Sequence, residues 1–240
     1  MQTLIRTIEA VEKTVPLLTV ASYNIRRCVG TDGRRDPERT VQVLRELDVQ
    51  VIGLQEVHWK SSDMDFMAKA AGLAAIPGPT MQRSPGFYGN VLLTGCRVNA
   101  VRRLDLTVPG KEPRGGIDAT LDVQGISLRI IATHLGLRTS ERRYQLGRLL
   151  NALDSGNEEL TVLLGDINEW FPLSRTLRPL HTRLGRPPAL PTFPSWFPLL
   201  PLDRIWVQPR EALANLCVHR TPLARVASDH LPLKAHIAVH

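Results

Sequence analysis

Ser228-Asp229-His230, near the end of the chain, takes its meaning from four earlier tracts. They are Ser22-Tyr23-Asn24-Ile25-Arg26, Leu54-Gln55-Glu56-Val57, Ala132-Thr133-His134-Leu135 and Leu164-Gly165-Asp166-Ile167-Asn168. Each couples a short apolar run to a polar residue at or just past its end, which is how a buried strand delivers a side chain to the edge of a sheet. Together the five tracts offer one Glu, two Asp, two Asn and two His. Such a set can hold a hard cation and move protons at a phosphate ester.

Outward from these tracts, the pattern alternates strands with helices. Residues 17–23 read as a strand, and Pro37 opens a helix to Leu47 with Val41, Leu44 and Leu47 on one face. Residues 49–54 form a second strand and 63–71 a short helix. Strands follow over 90–93, 98–106, 116–123 and 126–134, the last two joined by a tight turn at Gln124-Gly125. Ser140 caps a helix to Leu153, with Leu146, Leu149, Leu150 and Leu153 inward. Residues 160–164 are a buried strand, 185–201 a proline-rich irregular loop, and 202–207 and 233–239 closing strands. Hairpins mixed with helical crossovers predict two sheets packed face to face with helices outside.

The 240 residues suffice for one sizeable core, so residues 1–240 read as a single domain. Residues 1–16 form an N-terminal helical extension, with the helix over 3–14, and 17–240 form the core. Apolar residues make up 43% and charged residues 22%, ordinary for a globular protein. No apolar run is long enough to span a bilayer, and the charged N-terminus does not read as a secretion signal. Cys28, Cys96 and Cys217 form no CxxC pair, so a reducing cytoplasm is the expected compartment. A net charge of +7 favours anionic partners: nucleic acid, phospholipid headgroups or small phosphates.

Glu56 follows Val51-Ile52-Gly53-Leu54, where the strand is expected to stop, and Asn24 ends the first strand. A carboxylate, an amide oxygen and waters suit Mg²⁺ or Mn²⁺, whereas the spacings of a structural zinc site are absent. Asp166 and Asn168, two apart after Gly165, either form an Asx turn or act together, Asp166 on the attacking water and Asn168 on a phosphate oxygen. His134 and His230 each follow a strand or turn. His230 needs a carboxylate behind it, and Asp203 in Pro201-Leu202-Asp203-Arg204-Ile205 is the candidate.

The ordered series Asn24, Gln55-Glu56, Thr133-His134-Leu135, Gly165-Asp166-x-Asn168, Leu202-Asp203-x-Ile205 and Ser228-Asp229-His230-x-Pro232 resembles the endonuclease/exonuclease/phosphatase superfamily over residues 17–240. The resemblance implies a four-layer α/β/β/α sandwich and metal-dependent attack of water on phosphorus. It implies metal binding at Asn24 and Glu56, with Asp229 supporting the metal or the adjacent His. It implies that His230 contacts the scissile phosphate under the orientation of Asp203, and that Asp166 and Asn168 position water and phosphate. His134 matches the second histidine of the deoxyribonuclease and sphingomyelinase branches, and the tract around Thr133–Arg138 is similar to small bacterial members.

The expectation is therefore a Mg²⁺-dependent phosphodiesterase, with Mn²⁺ as the alternative ion, acting as a monomer on nucleic acid or on a phospholipid or small diester. Arg26 and Arg114 are the expected phosphate grips. Phe193, Trp196, Phe197, Leu199 and Leu200 either fold onto the core or form an apolar lip beside the site, leaving peripheral membrane contact open. The rival is a catalytically silent module of the same fold that binds anionic surfaces.

Overall fold

The computed structural model describes residues 16–59, 61–84, 86–156 and 158–239. The helix expected over 3–14 lies outside the described residues. Within them, two mixed sheets pack face to face. The six-stranded sheet holds β1 (Leu17–Asn24), β2 (Val51–Trp59), β3 (Ala74–Arg83), β4 (Gly86–Thr94), β10 (Leu213–Val218) and β11 (Leu233–Ala238), in the order β10-β11-β1-β2-β4-β3. The five-stranded sheet runs in sequence order through β5 (Arg97–Asp105), β6 (Gly115–Val123), β7 (Ile126–His134), β8 (Leu160–Asp166) and β9 (Asp203–Gln208).

The period-two alternation of each strand builds the layers. Leu18 and Val20 of β1, Leu128, Ile130 and Ala132 of β7, and Val162 and Leu164 of β8 meet in the core between the sheets. The opposite faces are apolar too. Ala21, Tyr23, Ile52 and Leu54 pack under α1 (Pro37–Leu47), α2 (Ser61–Ala70) and α5 (Pro222–Ala227). Ile131, Leu163 and Trp206 pack under α3 (Thr139–Leu153) and α4 (Arg178–Leu184). The result is the expected α/β/β/α sandwich. Strands buried on both faces read as continuous apolar runs, which is why β1, β7 and β8 are plain in the sequence. Each fully buried Leu, Ile or Val contributes roughly 1.5–3 kcal/mol.

α1 starts where expected: Asp36 accepts a bond from the Arg39 amide at 3.0 Å, Pro37 sits in the first turn, and the helix ends at Asp48 in a left-handed conformation. Gln124 and Gly125 both have positive φ, 55° and 91°, as a two-residue hairpin turn requires. Two readings need correction, and four elements went unread. β2 does not stop before Glu56 but runs on to Trp59 through a bulge between Leu54 and Val57. α3 begins at Thr139, so Ser140 lies inside it, and no side chain caps its start. β3, which Pro77 and Pro79 interrupt, has no counterpart in the sequence reading. It lies at the sheet edge, where a missing N–H is tolerated. β10, α4 and α5, each six or seven residues long, were also missed.

Candidate active site

The inward-facing series of several strands end in polar residues at one end of the sandwich. Leu18, Val20 and Ser22 lead to Asn24; Leu128, Ile130 and Ala132 lead to His134; Val162 and Leu164 lead to Asp166. Register then lines up a row. His134 pairs opposite Asp166, and Asp166 opposite Asp203. Gly165 makes this close approach possible, since a Cβ there would run into the Thr133 carbonyl.

Glu56 reaches the same place by a different device. Simple alternation would put it with Ile52 and Leu54 on the helix side. The β2 bulge, with Glu56 at φ 55°, lets Val57 take that side, and Glu56 lines the cleft. Arg26, Arg27, Cys28 and Asn168 also hold positive φ beside the site. Strained backbone thus collects where side chains must be aimed, at about 1–3 kcal/mol per residue.

The contacts join seven of the expected residues. The Asn24 amide nitrogen donates to Asp166 at 3.0 Å and to Glu56 at 3.3 Å. The Asn168 backbone N–H donates to Asp166 Oδ1 at 2.9 Å, the Asx turn that the spacing allowed. The Asn168 side chain turns back, donating to the Leu135 carbonyl at 2.9 Å and meeting His134 Nε2 at 3.1 Å. His230 sits 2.9 Å from Asp203 through Nδ1 and 3.7 Å from Asp166 through Nε2. Thr192 donates to the same Asp203 oxygen at 2.6 Å. The hydroxyl of Ser228 donates to the Asn24 carbonyl at 2.7 Å and accepts from the His230 amide, so the last tract is stitched to the first strand.

These contacts set the charges. Burial alone would strip His230 of its proton, but Asp203 and Asp166 outweigh it and push its pKa up to about 10. Burial dominates at His134, where Asp166 only partly compensates and the pKa falls to about 3. Two histidines a few ångströms from one carboxylate are therefore charged and neutral respectively at neutral pH. Burial raises the Glu56 pKa; the Asn24 bond opposes this, and the charges of Asp166 and Asp229 add to it.

The cleft above this row has a volume of about 440 Å³. Tyr88, Arg114, Phe193, Trp170 and Leu137 line it. Arg114 is almost fully buried, and its Nε has no hydrogen-bond partner. Arg26 and Asp229 stand at the border, paired at 3.3 Å, and it is Arg27, not Arg26, that lines the cleft. Asp32, in its Asp-Gly turn, is held by Arg39 at 3.0 Å. Sequence reasoning missed Thr192 and Tyr88. The first sits in an irregular loop and the second in the middle of a strand, with no local pattern to mark either.

Among the described residues, no group of three or more His, Cys, Asp or Glu is arranged as a metal cage. The donors present are of another kind. Two carboxylates, Glu56 and Asp166, converge on one neutral amide rather than on a guanidinium. Such a surplus of oxygen and negative charge fits a hard divalent cation held by few protein ligands and completed by water.

The chain has relatives among known proteins. A relative in Escherichia coli K12, the uncharacterized protein YbhP, is 32% identical over 224 residues, covering 85% of this chain and 86% of its own. The crystal structure of an endonuclease/exonuclease/phosphatase from Beutenbergia cavernae superposes with a TM-score of 0.76 at 22% identity, over 93% of this chain and 72% of that one. The mannosyl-6-phosphatase Bt3783 of Bacteroides thetaiotaomicron gives 0.71 at 18% identity, over 92% of this chain and all of its own. The family model of the Endonuclease/Exonuclease/phosphatase family matches residues 21–230, from within the first strand to His230. The chain belongs to the endonuclease/exonuclease/phosphatase family, whose members are typically hydrolases such as nucleases and phosphatases.

Proposed function

We propose that this protein is a divalent-metal-dependent phosphodiesterase that splits a P–O bond by in-line attack of water. The observation that carries the reading is the buried His230–Asp203 pair set against Asp166, with His134 in the same row. Mg²⁺ or Mn²⁺, when bound, would supply Lewis-acid charge to offset the negative charge of the reacting phosphate. Glu56 would hold that ion, with Asn24 once its amide oxygen turns inward, and Asp229 in support.

The chain's own residues do the rest. Asp166 aligns the water and takes its proton as the new O–P bond forms. His230 is already charged, so it can donate to a phosphoryl oxygen and offset the negative charge that builds on phosphorus. Asp203 keeps that ring charged and oriented, and Thr192 keeps Asp203 in place. Asn168 and neutral His134 flank the same oxygen positions. The near-buried guanidinium of Arg114 lines the cleft 3.7 Å from Glu112, and its planar set of donors suits a phosphate oxygen. A diester needs room on two sides of phosphorus, and a cleft of about 440 Å³ is large enough to take one.

The test is turnover of bis(p-nitrophenyl) phosphate beside p-nitrophenyl phosphate, with protein stripped by EDTA and then given Mg²⁺ or Mn²⁺. Metal-restored hydrolysis favouring the diester is expected. A monoester preference would overturn the substrate assignment. No hydrolysis of either ester would favour a silent binding module of the same fold.

A further inference from the structure

Three loops around the cleft carry large apolar side chains that are each more than half exposed. Leu137 follows β7; Trp170, Phe171 and Leu173 follow β8; Trp196, Phe197 and Leu199 precede β9. Leu137 and Trp170 line the cleft, and so does Phe193, whose ring packs 5.0 Å from His230 on the same loop as Trp196. The rim is therefore continuous with the catalytic row.

These side chains are displayed by anchored loops. Glu169, at the base of the second loop, is buried and bonded to buried Arg142 at 3.1 Å. In the third loop, buried Ser195 accepts no exposure either: its backbone N–H donates to the Asp229 carbonyl at 2.8 Å and its hydroxyl to the Ser228 carbonyl at 2.7 Å. Phe193 and Leu200 exchange backbone bonds across the loop at 3.0 and 2.8 Å. A loop fixed this firmly with its apolar side chains outward presents a surface.

Charge narrows what that surface fits. Residues 135–138, 169–175 and 192–201 contain one carboxylate, Glu169, and it is buried in its ion pair. The exposed charges of these segments are Arg138 and Arg175, and Arg27 lies in the cleft beyond. An apolar rim with cationic residues suits an anionic lipid surface, where aromatic rings and leucines enter the headgroup boundary and arginines meet phosphates. Single-stranded nucleic acid would use the rings but gives no partner to Leu137, Leu173 and Leu199.

We propose that this rim docks on an anionic phospholipid bilayer and brings a headgroup phosphodiester into the cleft. The substrate half of this inference rests on the diesterase reading above. The full chain with Mg²⁺ is sedimented with vesicles of phosphatidylcholine containing phosphatidylglycerol, with vesicles of phosphatidylcholine alone, and assayed with a single-stranded oligonucleotide. Two variants are compared, Trp196→Ser with Phe197→Ser, and Phe171→Ser with Leu173→Ser. Binding to the anionic vesicles should fall by about tenfold in each variant, while turnover of bis(p-nitrophenyl) phosphate stays at the wild-type rate. Vesicle binding that is absent in the wild type or equal in all three proteins overturns the proposal. So does oligonucleotide binding that these substitutions abolish while vesicle binding is untouched. Rim-dependent docking in a protein that cleaves no diester supports the surface and overturns the catalytic reading instead.

Discussion

Two sets of buried carboxylates stand on the five-stranded sheet and its partner, and they are treated in opposite ways. Asp118, on β6, is neutralised where it stands. It accepts from Arg129 Nε and Nη2, each at 2.9 Å, and from Arg102 at 2.7 Å. Arg129 also donates to the Ala152 carbonyl at 2.6 Å, tying the sheet to the last turn of α3, where a cation is favoured by the helix dipole. At the site, Glu56, Asp166, Asp203 and Asp229 face His230 and the half-exposed Arg26. A structural acid is matched by fixed donors. At the site, Glu56 and Asp166 have no guanidinium within ion-pair distance among the described residues and share the Asn24 amide, so their charge is left for a cation.

The comparison breaks most sharply at His230. Replacing it with Ala should lower kcat on a diester by about 10³–10⁴-fold, the combined scale of lost charge stabilisation and proton handling. Asp166→Ala should fall in the same range. His230→Ala leaves buried Asp203 without its paired cation and should lose about 3–5 kcal/mol of stability, whereas Asp166→Ala relieves the repulsion with Glu56 and should stay within about 1 kcal/mol of wild type. Calorimetry beside the kinetic assay reads the two quantities separately. Normal turnover in either purified variant would remove it from the mechanism.

The converse holds at Arg129. Arg129→Met leaves Asp118 buried with Arg102 as its cation, and about 3–5 kcal/mol of stability should be lost. Activity per folded molecule should stay within about twofold, since residues far from the row share no partners with it. A large fall in kcat with unchanged denaturant midpoint would erase the distinction between the two clusters.

Glu56 sharpens it from the other side. Burial has already raised its pKa, so the ionised form is disfavoured in the folded chain. Glu56→Gln should therefore raise the melting temperature of EDTA-treated protein. Wild type should gain about 2.7 kcal/mol from Mg²⁺ at a hundred times its dissociation constant, and the variant should gain little. A variant that melts lower than wild type without metal would show that the carboxylate supports the fold.

What could be read in advance follows the same physics. Asn24, His134 and Asp166 end apolar runs, so their places at strand ends were legible from the pattern, while their meeting in one site, across two sheets, was implied only by the family resemblance. Glu56 was legible as a residue type but not in its geometry, because a bulge that overrides alternation leaves no mark in Leu54-Gln55-Glu56-Val57. β3 was hidden by prolines that an edge strand tolerates, and α5 by its brevity. Thr192 and the pairing of Arg26 with Asp229 depend on contacts between segments far apart in the chain, which no local pattern encodes. The lip of Trp196, Phe197 and Leu199 was legible as apolar, but only packing decides that it faces outward.

A third kind of carboxylate, at the surface, gives the smallest effect and a check on the other two. Glu46 on α1 accepts from Thr221, the cap of α5, at 2.6 Å and meets His219 at 2.9 Å. Burial pushes its pKa up, but the bonds from Thr221 and His219 outweigh burial, and the net direction is down. A carboxylate whose folded pKa is depressed stabilises the fold above its ordinary pKa of about 4.5 and loses that contribution as pH falls through the folded value. With a third of the side chain in water, screening holds the contribution below about 1 kcal/mol. Glu46→Gln should thus cost about 0.5 kcal/mol at neutral pH and progressively less as the pH drops below that range, with kcat unaffected. The deficit should also shrink in about 1 M salt, where the screening length is near 3 Å, whereas the Arg129→Met deficit should not, because its charges are shielded from solvent. A Glu46→Gln deficit that ignores both pH and salt would mean that the α1–α5 contact depends on hydrogen-bond geometry and not on charge.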